Sequence, residues 1–150
     1  GTVEEGIRAI EGGADALQMV FNILEQEVGK GLFPVCAEKG VGVIVRVPLV
    51  AGFLTGTLGS DTVFPDNDFR SKRYPPERAR EIGEKVAQLG FLLEEADSMA
   101  EAALRFVLSH PEVSTAIPGA QHPGHVVENV KASGKRLSEG ALQRIEELFG

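Results

Sequence analysis

The sequence of 150 residues carries 22 acidic against 15 basic side chains, a formal charge of −7, with 43% hydrophobic and 25% charged residues. This acidic balance, with no basic stripe interleaved with aromatics, argues against nucleic acid as a partner. No apolar run approaches the roughly 20 residues of a membrane span, and no secretory pattern opens the chain. The single cysteine, Cys36, excludes an internal disulfide and a cysteine-based metal cluster, and implies a reducing, cytoplasmic setting.

Gly1 leads directly into a helical pattern, with no strand or initiator methionine before it, so the chain reads as a segment of a longer protein. Thr2 and Glu5 form the pattern of a capping box, Ile7 and Ile10 mark the apolar side, and Gly12-Gly13 stops the helix. "ADALQMVFN" (14–22) reads as a short buried strand. "ILEQEVGKGLFPVCAEKG" is helical in spacing, with Pro34 placed to open a second helical turn after Gly31. "VGVIVRVPL" (41–49) carries the strongest strand signal: four β-branched residues among its first five, and Pro48 to end the ladder. Residues 50–75 are turn-rich, and a loop of that length is either functional or disordered.

From Pro76 to Leu93 the pattern is again helical. "DSMAEAALRFVLSHP" is a further helix, capped by Asp97 or Ser98 with Glu101 completing the box, and stopped by Pro111. "VSTAIPG" (113–119) is a short strand, and "HPGHVVENVKAS" and "SEGALQRIEELFG" are helices, the last capped by Ser138. Strands alternating with helices imply βαβ units and a parallel sheet, as in a (β/α) barrel. Parallel sheets are normally buried on both faces. Three strands alone leave two open edges, to be covered by missing chain or by self-association.

The stretch 43–58 places a strand end, a proline turn and two glycines before the long loop, where parallel α/β folds bind ligands and where backbone N–H groups can approach phosphates. A loop that merely turns would have the same spacing. Arg46 in an apolar strand requires a carboxylate, a ligand, an aromatic ring or neighbouring carbonyls to satisfy it. Gln18 can read a ligand carboxamide or simply face solvent. His122 and His125 flank a helix N-terminus, which favours anions, and His110 stands at a helix C-terminus, where a positive partner is expected. Tyr74, in a charged loop, suits surface packing. The histidine spacing makes no metal site, and there is no nucleophile motif, Walker lysine or G-x-G-x-x-G.

Together "LQMVFN", "VGVIVRVPLVAGFLTGTL" and "DSMAEAALRFVLSHPEVSTAIPGAQHPGHVVEN", in this order, resemble the C-terminal half of a bacterial-type aldo-keto reductase. The resemblance covers residues 1–150 and implies an α/β fold, the C-terminal part of a (β/α)8 TIM barrel: about strands six to eight with their helices, incomplete on their own. It implies that Gln18 contacts the nicotinamide carboxamide and that Arg46 stacks on the nicotinamide ring. Val47, Pro48, Leu49, Ala51 and Gly52 would hold the pyrophosphate; Ile117, Gly119, Ala120, Gln121, His125, Glu128 and Asn129 would supply the last loop and helix around the adenosine end. The implied cofactor is NADP(H), with NAD(H) the alternative because Gly119 and His125 stand where phosphate-selective relatives carry Lys or Arg, and no metal is required.

The family's catalytic Asp, Tyr, Lys and His lie on the first half of the barrel, so no catalytic residue maps onto this chain. The implied function is the cofactor-binding half of an NAD(P)H-dependent oxidoreductase that reduces aldehydes or ketones by hydride transfer, the isolated segment being inactive. The alternative is a non-catalytic half-barrel that binds a nucleotide or a partner. The charged loop 57–76, with Asp68 and Arg70, is the candidate for closing over bound cofactor.

Overall fold

The computed structural model describes residues 1–150. Helix α1 (Val3–Glu11) begins as its sequence dictates: the Glu5 N–H donates to Thr2 Oγ1 at 3.2 Å, and the Thr2 N–H donates to Glu5 Oε2 at 2.8 Å. Strand β1 (Ala16–Val20) follows, then α2 (Glu27–Lys39) and β2 (Gly42–Arg46). Helix α2 runs through Pro34 as one element rather than restarting there. Gly6 and Gly31 let α1 and α2 pack closely, since a Cβ at either position would collide with Leu32 or Val3.

Residues 50–75 are more structured than their turn-rich composition suggests. A tight helical turn of 3-10 type spans Val50–Thr55, and a short helix, α3 (Phe69–Arg73), is capped by Asp68. The expected helix from Pro76 to Leu93 divides into α4 (Pro76–Ala87) and a second tight turn over Gly90–Glu94. Next come α5 (Met99–Leu108), strand β3 (Val113–Ile117), α6 (Pro123–Val130) and α7 (Glu139–Phe149). Ser98, not Asp97, caps α5, and the Glu101 side chain reaches the Asp97 N–H instead of completing the reciprocal box. No helix is long and apolar enough to cross a membrane.

The three strands form one parallel sheet in the order β1-β2-β3, which places Val20, Arg46 and Ile117 side by side at its carboxyl edge. An irregularity between Val43 and Ile44 shifts the β2–β3 register, and there the Val43 N–H donates to Ser114 Oγ. On one face Met19, Val43 and Val45 are buried in the main core, with Leu17, Val113 and Ala116 packed against it. The other face, with Gln18, Ile44, Arg46, Thr115 and Ile117, is half-buried or exposed, Ile117 by 48%. The expectation of a strand buried over 14–22 is therefore corrected: β1 is shorter, and within it only Met19 is buried. The helices pack on a single face of this sheet, so alternate side chains along each strand remain uncovered.

The covered side holds two aromatic groups. Phe21 meets Phe33, Phe106 and His110 at ring-centroid distances of 4.8, 5.5 and 4.7 Å. Phe53, Phe64 and Tyr74 form the second, which holds the 50–75 segment together, and all three belong to the main core. Tyr74 is 3% exposed, so its expected surface role is replaced by a core one. His110 likewise differs from the positive helix partner expected of it: burial among the rings pushes its pKa down, and its Nδ1–H donates to the Phe106 carbonyl at 2.9 Å.

Candidate functional site

The carboxyl ends of β2 and β3 open onto a cavity of about 710 Å³. Its walls come from the turn after β2, the loop after β3, the inner side of α6 and the segment that ends in α3 and Tyr74. Ligands of parallel α/β folds occupy this position, because the loops that leave the strand ends converge there.

The turn after β2 is built from unusual backbone. Val47, Val50 and Ala51 have φ of 58°, 48° and 52°, and Gly52 has φ of 105°. A β-branched residue in the left-handed region costs roughly 1–3 kcal/mol and persists only where its surroundings enforce it. Val47 also precedes Pro48, which normally favours extended backbone. The Val47 carbonyl accepts from the Val50 N–H at 3.2 Å and from Asn22 Nδ2 at 3.2 Å, and the Leu49 carbonyl accepts from Gly52 and Leu54.

Arg70 ties the overlying segment to this turn. Its guanidinium is held by both oxygens of Asp68, lies 4.4 Å from the centre of the Phe64 ring, and donates to the Ala51 carbonyl at 3.4 Å. The hydrogen bonds from Arg70 in turn hold the Asp68 carboxyl below its usual range. This positive group is thus already paired, while Arg73 reaches the cavity wall without an ion pair.

The opposite wall is α6. His122 occupies its N-cap position without a side-chain capping bond, and its ring lies 3.7 Å from that of His125. His125 Nδ1 accepts the Gln121 N–H at 3.2 Å, which requires a lone pair on that nitrogen. Asn129 Nδ2 reaches the Gly119 carbonyl at 3.5 Å. Glu128 is held between Lys131 Nζ at 2.7 Å and Ser98 Oγ at 2.5 Å, and these two bonds, Lys131 first, lower its pKa.

Eleven of the fourteen residues proposed from sequence line this one cavity: Val47, Pro48, Leu49, Ala51, Gly52, Gly119, Ala120, Gln121, His125, Glu128 and Asn129. Gln18, Arg46 and Ile117 do not; they stand on the uncovered sheet face beside it. Arg46 is half-buried and makes neither an ion pair nor a hydrogen bond, so the partner expected for its guanidinium is absent within the chain. Three residues escaped the sequence reading of the site, among them Ala100, which lies on the wall beside Ser98. Asn22 supports the turn from beneath, and its only sequence signal is an Asn three residues before Glu25 at a strand end. Ser98, recognised only as a helix cap, also forms part of the cavity wall.

The aldo/keto reductase family profile matches residues 8–149. Among characterised relatives, the fission-yeast (Schizosaccharomyces pombe) aldo-keto reductase yakc [NADP(+)] is 27% identical over 88% of this chain and 41% of its own length. The NADH-specific methylglyoxal reductase of Escherichia coli is 27% identical over 91% of this chain and 42% of its own. The chain thus spans less than half the length of these relatives. Among solved structures, the glycerol dehydrogenase of Gluconobacter oxydans superposes with a TM-score of 0.81 at 24% identity, covering 96% of this chain and 45% of that one. That likeness shows an α/β fold of the TIM-barrel type, of which this chain matches about half. With a family match over nearly its whole length, this chain belongs to the aldo/keto reductase family.

Proposed function

We propose that this chain is the nicotinamide-cofactor-binding part of an NAD(P)H-dependent carbonyl reductase, corresponding to about strands six to eight of the barrel. One observation carries the reading. Residues from two separate stretches, 47–52 and 119–129, which the family resemblance assigns to one dinucleotide, line a single cavity of about 710 Å³. The site also suits the group chemically. The turn at 47–52 forms one wall, and on the other Glu128, Asn129 and Gln121 supply hydrogen-bonding groups for a nucleoside. On this reading Gln18 and Arg46, on the adjoining open face, would meet the nicotinamide end.

Bound there, the cofactor would supply a hydride to an aldehyde or ketone. The residues of this chain bind and orient it, and protonation of the carbonyl belongs to the family's Asp, Tyr, Lys and His, none of which maps here. The segment alone is therefore inactive as a reductase. Calorimetric titration with NADH and NADPH, with amide shifts followed by NMR, tests the reading. Saturable binding that moves the amides of Leu49–Gly52 and Gly119–Gln121 is expected, with no turnover across an aldehyde panel. Absence of binding at millimolar nucleotide, or robust turnover, overturns it.

A second reading, an interaction module, is favoured by the open sheet face and by Val126, Val127 and Val130 on α6, which are 52%, 67% and 63% exposed. Sedimentation separates the two, since a concentration-independent monomer argues against association through these surfaces.

A further inference from the structure

We propose that Asn22 is the positioning residue of the cavity turn, the side chain that holds Val47 in its left-handed conformation so that the turn 48–52 keeps its shape at the cavity wall. The inference rests on the nucleotide reading for what the ligand is, but not for what Asn22 does.

Asn22 is fully buried, at 0% exposure, at the end of β1. Its amide is saturated. Oδ1 accepts from the Leu24 N–H at 2.9 Å and the Glu25 N–H at 3.0 Å, while Nδ2 donates to Glu25 Oε2 at 2.8 Å and to the Val47 carbonyl at 3.2 Å. Its backbone N–H and carbonyl are both exchanged with Glu25. All but one of these bonds stay within residues 22–25 and serve the local turn. The exception crosses to the neighbouring strand end and lands on Val47, whose φ of 58° lacks the excuse of glycine.

The chemistry requires an amide. An aspartate would keep the two accepted bonds but turn a second oxygen toward the Glu25 carboxylate and the Val47 carbonyl, replacing two attractions with two repulsions. Serine would accept locally without reaching Val47. The residue type is therefore explained by the cross-strand bond, whereas a strand-ending turn alone accepts Asp or Ser equally well.

The test compares Asn22→Asp and Asn22→Ser with Glu25→Gln, which keeps the Val47 bond, in the full chain. Hydrogen exchange is read at the Val50 and Gly52 amides and at α5, and NADH affinity is measured in parallel. Both Asn22 variants should speed exchange in the turn about tenfold or more while α5 changes less than twofold, as expected of a local opening. Glu25→Gln should leave both unchanged. NADH affinity should fall with the turn's protection. Unchanged turn exchange in Asn22→Ser, or equal acceleration across α5, overturns the role assigned to Asn22. Failure of the unaltered chain to bind NADH overturns the nucleotide reading and leaves the exchange result to decide Asn22 on its own.

Discussion

The Ser98 hydroxyl donates to Oε1 of Glu128 at 2.5 Å while accepting the Glu101 N–H at 3.1 Å, so one side chain both caps α5 and fixes the α6 wall of the cavity. Loss of a serine N-cap costs about 1 kcal/mol. Ser98→Ala should lower the unfolding free energy read from urea melts by that amount, and should also free the Glu128 carboxylate to swing with Lys131. Ser98→Thr retains both functions. The expected signature is a weaker nucleotide affinity in Ser98→Ala beyond any effect of a control cap mutation, Ser138→Ala, which lies outside the cavity.

A second buried anchor, the ion cluster beneath α5, governs acid stability. Glu101 has no exposure, and burial pushes its carboxyl pKa up. Hydrogen bonds from Lys135, Arg105 and the Asp97 N–H outweigh that and hold it at about 2. A carboxyl with a lowered folded pKa adds stability that is complete above its unfolded value of 4.5 and is lost as pH falls toward 2. His110, whose pKa is lowered by burial, acts in the same direction over a higher range. The unfolded chain takes up its proton below 6.5 and the folded chain resists it. Urea midpoints should therefore decline from near pH 6.5 downward, and His110→Phe should flatten the upper part of that decline. Arg105→Met, which leaves half of a buried pair behind, should cost about 3 kcal/mol. Lys135→Ala, at a half-exposed partner, should cost about 1 kcal/mol or less.

Local signals account for what was legible in the sequence. The Thr2–Glu5 box, the β-branched run of β2 and the Ser138 cap depend on residues a few positions apart, and each forms as its neighbours dictate. Most of the proposed cofactor residues also converge, because the two stretches that carry them leave adjacent parallel strands. What was not legible depends on distant partners. The burial of Tyr74 follows from Phe53 and Phe64, and the neutral setting of His110 from Phe21 and Phe33. Pro34 stays within α2 although its ring alone would argue for a break. Asn22 was hidden because its decisive bond spans the gap from β1 to the end of β2.

The segment above the cavity is seated on α4 through Gly83. A Cβ at that position would fall on the backbone of Gly59 and Ser60, which cannot yield as a flexible side chain can. Gly83→Ala should thus leave α4 helical, or strengthen it by propensity, while dislodging residues 59–62. Limited proteolysis provides the readout: faster cleavage between Gly59 and Asp68 with the rest of the chain still protected. Asp68→Ala with Arg70→Ala releases the other attachment, to the Ala51 carbonyl. If the segment closes over bound nucleotide, this double variant should raise the nucleotide off-rate, measured by stopped flow. An unaltered off-rate assigns the segment a structural role only.

On the proposed function, cofactor preference is set by the residues assigned to the adenosine end. Among Gly119, Ala120, Gln121, His125, Glu128 and Asn129, the one formally charged side chain is Glu128, a carboxylate whose lowered pKa keeps it ionised. His125 Nδ1 is engaged as the acceptor of the Gln121 N–H. A 2′-phosphate at this wall meets the Glu128 carboxylate, and the cavity's guanidinium without an ion pair, Arg73, belongs to α3 rather than to this wall, whereas the ribose hydroxyl of NADH can donate to a carboxylate. NADH should therefore bind at least as tightly as NADPH. His125→Arg places a planar donor suited to phosphate beside Gln121 and should shift the NADPH-to-NADH affinity ratio upward about tenfold, equivalent to about 1.4 kcal/mol. Glu128→Gln should move the ratio the same way by removing the repulsion, while weakening both nucleotides through loss of a strong acceptor. Competitive calorimetry with the two nucleotides measures the ratio directly. A clear NADPH preference in the unaltered chain would show that Arg73, across the cavity, supplies the phosphate contact instead, and Arg73→Ala would then abolish that preference.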